Sequence, residues 1–188
     1  MVHTPIRIRA RKTARFACAA GLALLVAACG SFDIAGGSNL PALRQQSLAL
    51  VNDARAREGL PPLTLDPALN RAAQAHANDM RRRNYYAHTS LLGLGPPERY
   101  AKAGGSPLGH FAENIARCFR CAVPADAASV RQLHEQWMNS PSHRAHILKP
   151  EVTRYGFGLA ETENGKHYAV EDFYGPVRPE DYRRAPGL

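Results

Sequence analysis

Three segments that lie far apart in the sequence each carry one polar side chain in an otherwise apolar or aromatic setting. These side chains are His88, Glu113 and His143. Two imidazoles and a carboxylate are a common ligand set for zinc and related divalent ions, with positions left open for water. The same three groups could perform acid–base chemistry without a metal, with Glu113 as the catalytic residue if the protein is an enzyme. Spacing does not show that they converge, so both alternatives stay open.

A second histidine, His146, accompanies His143 in a segment that begins with Ser140-Pro141. Proline disfavours the α conformation in the residue before it, so a preceding helix should end here, and Ser140 can cap a new one with Pro141 at its first position. His143 and His146 then share one helix face because they lie three residues apart. The positive end of the helix should keep His143 neutral, as a metal ligand or a base requires.

His88 and Glu113 lie in surroundings that need an explanation. His88 follows two tyrosines in a predicted loop, where a histidine has fewer structural roles than on an apolar helix face. Glu113 stands between the apolar residues Phe111 and Ile115, and a carboxylate in such a segment needs a partner or its pKa rises. Glu113 is therefore a candidate site residue, with a cap or a buried salt-bridge partner as the alternative.

A long helix is predicted to lead into the His88 loop. Asp66-Pro67 is a strong helix start, and the helix should run to about Asn84. His76 belongs to its buried stripe, which favours a core histidine over a catalytic one. The stripe consists of Leu69, Ala73, His76 and Met80.

The remaining elements mix helices with a hairpin. Apolar periodicity predicts helices over residues 41–58, 98–103 and from 125 or 126 to 138, with His134 and Glu135 on the flank of the last. Alternating residues predict strands over 154–160 and 166–173. Asn164-Gly165 between them predicts a type I′ hairpin turn.

The first 28 residues are typical of a secretory signal. Five cations precede an apolar core of eleven residues, 16–26, which is too short to span a bilayer because spanning takes roughly 20 residues. Residues 25–31 resemble a bacterial lipobox, in which Cys29 becomes the lipidated first residue; simple cleavage after Ala28 is the alternative. Residues 29–39 are then a flexible tether. Gly30-Ser31 lacks the aspartate associated with inner-membrane retention, so we expect an envelope protein anchored at the outer membrane or the periplasmic face.

The charge and the cysteines narrow the classes of function. Five of the 24 Lys+Arg residues and none of the 16 Asp+Glu residues lie in the signal, so the mature chain would carry 19 against 16. This small excess gives no indication of nucleic-acid binding. Outside the cytoplasm, Cys118 and Cys121 predict a local disulfide, with a redox pair or half a zinc site as alternatives.

Several short motifs follow one another in a recognisable order. They are Asn52-Asp53-Ala54-Arg55, Gly59-Leu60-Pro61-Pro62-Leu63, Ala73-Gln74-Ala75-His76-Ala77, His88-Thr89-Ser90, Glu113-Asn114-Ile115-Ala116 and Trp137-Met138-Asn139-Ser140-Pro141-Ser142-His143-Arg144. In this order they resemble the CAP superfamily, also called the SCP domain, and its bacterial branch in particular. The likeness spans about residues 40–175, the predicted domain, and the tail 176–188 has no predicted regular structure.

The resemblance implies an α+β fold, a three-layer α-β-α sandwich with a small antiparallel sheet. It also implies a cleft lined by His88, Glu113 and His143, which in some members of the family binds zinc or another divalent cation. This chain departs from the pattern at several positions, so metal affinity could differ. Ala112 replaces a usual glycine, Ser140 stands where eukaryotic members have an acid, His146 replaces a usual asparagine, and Glu171-Asp172 lies where bacterial relatives tend to have glutamine.

Three functions compete at this stage. The first is a non-enzymatic, monomeric binding module whose cleft holds a divalent metal ion, a lipid, a peptide or another cell-envelope component. The second is a metal-dependent hydrolase of the peptidase type, in which Glu113 takes a proton from water on a metal held by His88 and His143. No His-Glu-x-x-His helix or nucleophile elbow supports it. The third is a structural envelope protein.

Overall fold

The computed structural model describes Met1 and residues 38–177. Beyond Met1, the predicted signal peptide, Cys29, the tether up to residue 37 and the tail from residue 178 lie outside the described residues. The described chain contains five helices and four strands, in the order α1 (Leu40–Arg57), β1 (Thr64–Leu65), α2 (Pro67–Arg83), α3 (Pro96–Lys102), β2 (His110–Cys118), α4 (Ala127–Met138), α5 (Pro141–Ile147), β3 (Arg154–Glu161) and β4 (His167–Gly175). Among residues 38–177, no helix is both long and apolar enough to cross a membrane.

The four strands form one sheet between two layers of helices. The strand order is β1-β3-β4-β2, with β4 antiparallel to both β3 and β2 and with β1 parallel to β3. Helices α2 and α3 cover one face, and α1, α4 and α5 lie on the other. The α-β-α sandwich that the family resemblance implies is therefore confirmed. The short parallel pair of β1 and β3 makes the sheet mixed, a feature that two residues are too few to reveal in a sequence.

Alternate residues of β3 face the two helix layers on opposite sides of the sheet. Tyr155, Phe157 and Leu159 are buried in the core that includes residues of α1 and α4. Gly158 faces α2, where an added Cβ would lie 2.4 Å from the carbonyl carbon of Ala73. Helix α2 can approach the sheet this closely only because the strand has no side chain at that point.

Helix α2 begins and ends as the sequence predicts. The Asp66 carboxylate accepts hydrogen bonds from the Ala68 and Leu69 amides at 2.7 and 3.0 Å, and Asn84 ends the helix with φ 50°. His76 is buried on the apolar face, with Nε2 2.9 Å from the Ala87 carbonyl oxygen. The histidine thus fixes the loop that carries His88.

Two local predictions are wrong, and one helix starts earlier than predicted. The helix expected over residues 98–103 is present, but α3 begins at Pro96 because its first turn accommodates two prolines. The hairpin turn is not type I′, because Gly165 takes a left-handed φ of 75° and Asn164 does not. His134 is buried towards α1 instead of lying on the flank of α4, and burial lowers the pKa of its imidazole.

Candidate functional site

Glu113 lies on β2, an edge strand, and its side chain points to the face covered by α2 and α3. The residue as a whole is only 4% exposed. One carboxylate oxygen, Oε1, lies 2.8 Å from Nδ1 of His88. The other, Oε2, accepts from Nη2 of Arg99 in a buried salt bridge. Both oxygens are therefore engaged within the protein.

Arg99 on α3 is the residue that organises this side of the cleft. It is 7% exposed, and its Nη1 donates to the carbonyl oxygens of His88 and Leu94 at 2.7 and 2.8 Å. One guanidinium therefore holds both Glu113 and the loop of His88. Arg99 is not among the site residues predicted from the sequence, and the only signal for it is the requirement that a buried carboxylate such as Glu113 has a cationic partner.

His88 is oriented by Glu113 and reaches solvent. Its side chain is 53% exposed, whereas that of Glu113 is 2% exposed. Nδ1 faces the carboxylate, and Nε2 has no protein partner among residues 38–177. The ring is held from its buried side and leaves Nε2 free to contact a ligand.

His143 is held in a similar way by a hydroxyl. Ser140 occupies the N-cap position of α5, but its side chain makes no cap hydrogen bond and instead lies 2.8 Å from Nδ1 of His143. The pKa of His143 is lowered chiefly by burial, and then by the charges of His146 and His88. The predicted neutral ring is thus present, but burial rather than the helix end is its main cause.

His146 braces α5 against the edge strand. Its Nδ1 lies 2.9 Å from Oδ1 of Asn114, whose Nδ2 donates to the His143 carbonyl oxygen and to Oε2 of Glu171, each at 3.2 Å. Burial lowers the pKa of His146, although a hydrogen bond to the Glu113 backbone acts to raise it. The charge of His88 acts to lower the pKa of both His143 and His146, as expected if the three imidazoles lie on neighbouring segments.

Two further carboxyls lie behind the cleft on β4. Glu171 is fully buried, with Tyr155 donating to it at 2.7 Å, and burial raises its pKa to about 7. Asp172 pairs across the strands with Glu113, and neither of its oxygens has a hydrogen-bond partner in the described part of the chain. Burial, and then the negative charge of Glu113, raise the pKa of Asp172 well above its usual value, although the charge of Arg99 acts to lower it.

A pocket of about 320 Å³ continues the cleft along the edge of β2. The backbone at this edge is covered, because Tyr86 Oη and Trp137 Nε1 both donate to the Ile115 carbonyl oxygen, at 2.8 and 3.2 Å. The pocket is lined by Tyr86, Ile115, Ala116, Arg117, Phe119, Gln136, Trp137, Ser140 and His143. His143 therefore belongs both to the histidine cleft and to this pocket.

The donors at the cleft do not form a typical zinc site. No group of three or more His, Cys, Asp or Glu side chains in the described part of the chain is placed to hold a metal ion. His88 and His143 can each offer Nε2, but both oxygens of Glu113 are engaged, and Cys118 and Cys121 form a disulfide with each other. Catalytic zinc sites use three protein ligands, and the described residues supply two.

Comparisons with known proteins agree with this fold. Residues 48–173 match the cysteine-rich secretory protein family, CAP. YkwD of Bacillus subtilis is 32% identical over 125 residues, which are 66% of this chain and 45% of YkwD. This chain spans less than half the length of the two curated Bacillus relatives that it matches.

Solved structures show the same architecture. An outer surface protein from Borrelia burgdorferi superposes with a TM-score of 0.59 at 20% identity, over 69% of this chain and 90% of that protein. An extracellular protein containing an SCP domain, from Bacillus anthracis, gives 0.56 at 27% identity, over 72% of this chain and 41% of that one. With a family match that covers more than half of its residues, the chain belongs to the cysteine-rich secretory protein (CAP) family.

Proposed function

We propose that the protein is an envelope-anchored binding module that holds a ligand in the cleft between His88 and His143 and does not cleave it. The observation that carries this proposal is the double engagement of Glu113. Its two oxygens are occupied by His88 and Arg99, and its side chain is 2% exposed. A general base must reach the proton that it removes, and Glu113 cannot be reached from the cleft without breaking these contacts.

The rings of the cleft are suited to hydrogen bonding. His88 and His143 each present Nε2, and their Nδ1 atoms are fixed by Glu113 and Ser140. Because the pKa of His143 is lowered by burial, this ring is neutral at pH 7 and can donate or accept a hydrogen bond. Zinc or another divalent cation would find two imidazole ligands here, so the donor set favours hydrogen bonding to a ligand over tight metal binding.

We also propose that the protein is located outside the cytoplasm, at the cell envelope. The signal-like residues 1–28, followed by Cys29, support export and attachment to a membrane through a lipid. The similar Bacillus anthracis protein is described as extracellular. The ligand would then be a peptide, a lipid or another envelope component outside the cytoplasm, bound by a monomer.

The proposal can be tested by measuring which envelope fractions the immobilised protein retains. The purified chain is immobilised and exposed separately to envelope lipids, cell-wall fragments and envelope peptides, with and without chelator. A His88→Ala/His143→Ala variant is run in parallel, together with an Arg131→Ala/Gln132→Ala control on the exposed side of α4. We expect one fraction to be retained unmodified by the wild type and the control and lost by the cleft variant.

Mass spectrometry of the unretained material separates the competing functions. Shorter products that accumulate over many turnovers and disappear in the cleft variant would show a hydrolase and contradict the proposal. If the wild type and the cleft variant retained every fraction equally and cleaved none, only the role of a structural envelope protein would remain.

A further inference from the structure

We propose that the pocket beside His143 is a subsite for a carboxylate of the bound ligand, and that Arg117 recognises it. This inference rests on the proposed function, since it names the chemical class of ligand that the cleft would hold. The class is a peptide with a free terminal or side-chain carboxylate.

Arg117 is a cation without an anionic partner. No salt bridge joins it to a carboxylate among residues 38–177, and its buried Nε has no hydrogen-bond partner there. The described residues that line the pocket include no aspartate or glutamate. Its Nη1 and Nη2 groups make no hydrogen bond to the described residues either, so they are the donors available to a ligand acceptor in the pocket.

Two aromatic rings hold the guanidinium in place. The Arg117 Cζ atom lies 4.3 Å from the centroid of Tyr86 and 5.6 Å from that of Phe119. Tyr86 is itself fixed by its hydrogen bond to the Ile115 carbonyl oxygen. Stacking uses the face of the planar guanidinium and leaves the N–H groups at its edge available. Two parallel N–H groups on one edge of a guanidinium form a fork that matches the two oxygens of a carboxylate.

The charge of the pocket favours a carboxylate over a phosphate. Arg117 is the only permanent cation among the described residues of the lining, because burial lowers the pKa of His143 and Lys166 lies outside it. One guanidinium neutralises one carboxylate, whereas a phosphate monoester carries about −1.5 to −2 at pH 7 and needs a second cation. A volume of about 320 Å³ suits one end of a peptide or one side chain.

The opposite wall can bind the rest of such a ligand. Gln136, Ser140 and His143 bring polar groups to the pocket, and the Trp137 indole packs behind them. A peptide whose carboxylate lies at Arg117 would therefore extend past His143 towards His88. The pocket and the histidine cleft act in this arrangement as adjacent parts of one binding surface.

Short peptides test this inference on the intact chain. The probes are N-acetyl-alanyl-alanine, the same peptide as its C-terminal amide, and inorganic phosphate. Trp137 is the single tryptophan of the chain and lines the pocket, so its fluorescence reports binding. The Nε–H signal of Arg117 in ¹H–¹⁵N spectra identifies the residue that is contacted. We expect the acid to bind at least about tenfold more tightly than the amide or phosphate, because a hydrogen-bonded charge is lost in the amide.

Three variants assign the effect to the guanidinium fork. Arg117→Lys keeps the charge and loses the fork, and Arg117→Gln loses both, so each should bind the acid at least about tenfold more weakly than the wild type. Arg131→Gln removes one exposed cation from α4 and should leave binding unchanged. Thermal unfolding shows whether each variant is folded, and the acid-to-amide comparison on the wild type needs no variant.

Several results would overturn the carboxylate subsite. They are equal affinity for the acid and the amide, tighter binding of phosphate, and unchanged affinity in Arg117→Lys. Absence of acid binding at millimolar concentration would overturn it too. Retention of an envelope fraction that depends on His88 and His143 would then leave the binding module standing, so the two proposals fail separately.

Discussion

Removing only Arg99 from its buried ion pair with Glu113 should destabilise the protein more than removing both partners. Their side chains are 7% and 2% exposed. Arg99→Met would leave the Glu113 carboxylate buried with only His88 beside it and would also remove two hydrogen bonds to the loop carbonyl groups. Breaking a buried ion pair on one side costs about 3–5 kcal/mol. That is a large part of a typical unfolding free energy of about 5–15 kcal/mol.

A double-mutant cycle measures this coupling. The free energy of unfolding in urea is compared for the wild type, Arg99→Met, Glu113→Gln and the double variant. We expect the double variant to be more stable than Arg99→Met, with a coupling energy of about 2 kcal/mol or more, because removing both charges leaves none unpaired. Lys102→Met, on the exposed side of the same helix, should change stability by less than about 0.5 kcal/mol.

Additive effects would refute the reasoning. If Arg99→Met cost less than about 1 kcal/mol, or if the cycle gave no coupling, Glu113 would not be a tightly paired buried charge. Glu113 would then be available as a general base, and this would support a hydrolase as an alternative to the binding module.

Three further predictions concern packing and titration. Gly158→Ala should destabilise the fold by about 1–3 kcal/mol or more, measured in urea, because its Cβ would meet the backbone of α2 at 2.4 Å. Because burial raises the pKa of Asp172, the folded chain keeps this proton at pH values where the unfolded chain has lost it. The contribution of Asp172 to the free energy of unfolding therefore falls as pH rises above 3.8. Asp172→Asn should remove this loss, with a gain of up to about 1.4 kcal/mol per pH unit while only the unfolded carboxyl is ionised; a gain independent of pH would contradict it. In NMR titration His143 should have a midpoint below 6.5, which should rise in His88→Ala because the charge of His88 lowers it; an unchanged midpoint would place the two rings in separate sites.

Local chemistry explains which parts of the fold could be predicted. Asp66-Pro67 is a self-contained signal, since the side chain that caps α2 and the proline at its first position are adjacent. His76 is recognisable because a helix repeats its faces every three or four residues. These signals need no knowledge of the rest of the chain.

The partners of the site depend on contacts between distant segments. Arg99 lies fourteen positions before Glu113, and nothing in its neighbours distinguishes it from an exposed helix cation. His134 shows the converse, because α1 covers a position that the apolar periodicity of α4 places on the flank. Arg117 becomes noticeable only when Tyr86, thirty-one positions earlier, is seen to lie under its guanidinium. Sequence patterns predict the faces of single elements, whereas pairing across elements requires the fold.

The way in which the histidines are held indicates how the cleft responds to acid. Different partners fix each Nδ1, namely Glu113 for His88, Ser140 for His143 and Asn114 for His146. Burial lowers the pKa values of His143 and His146, so both rings are neutral at pH 7.5 and have midpoints below 6.5. A carboxylate at Arg117 would stabilise the protonated form of His143, and linkage then requires that acid strengthens binding. N-acetyl-alanyl-alanine should therefore bind more tightly at pH 5.5 than at pH 7.5, and weaker binding in acid would mean that the ligand carboxylate lies away from His143.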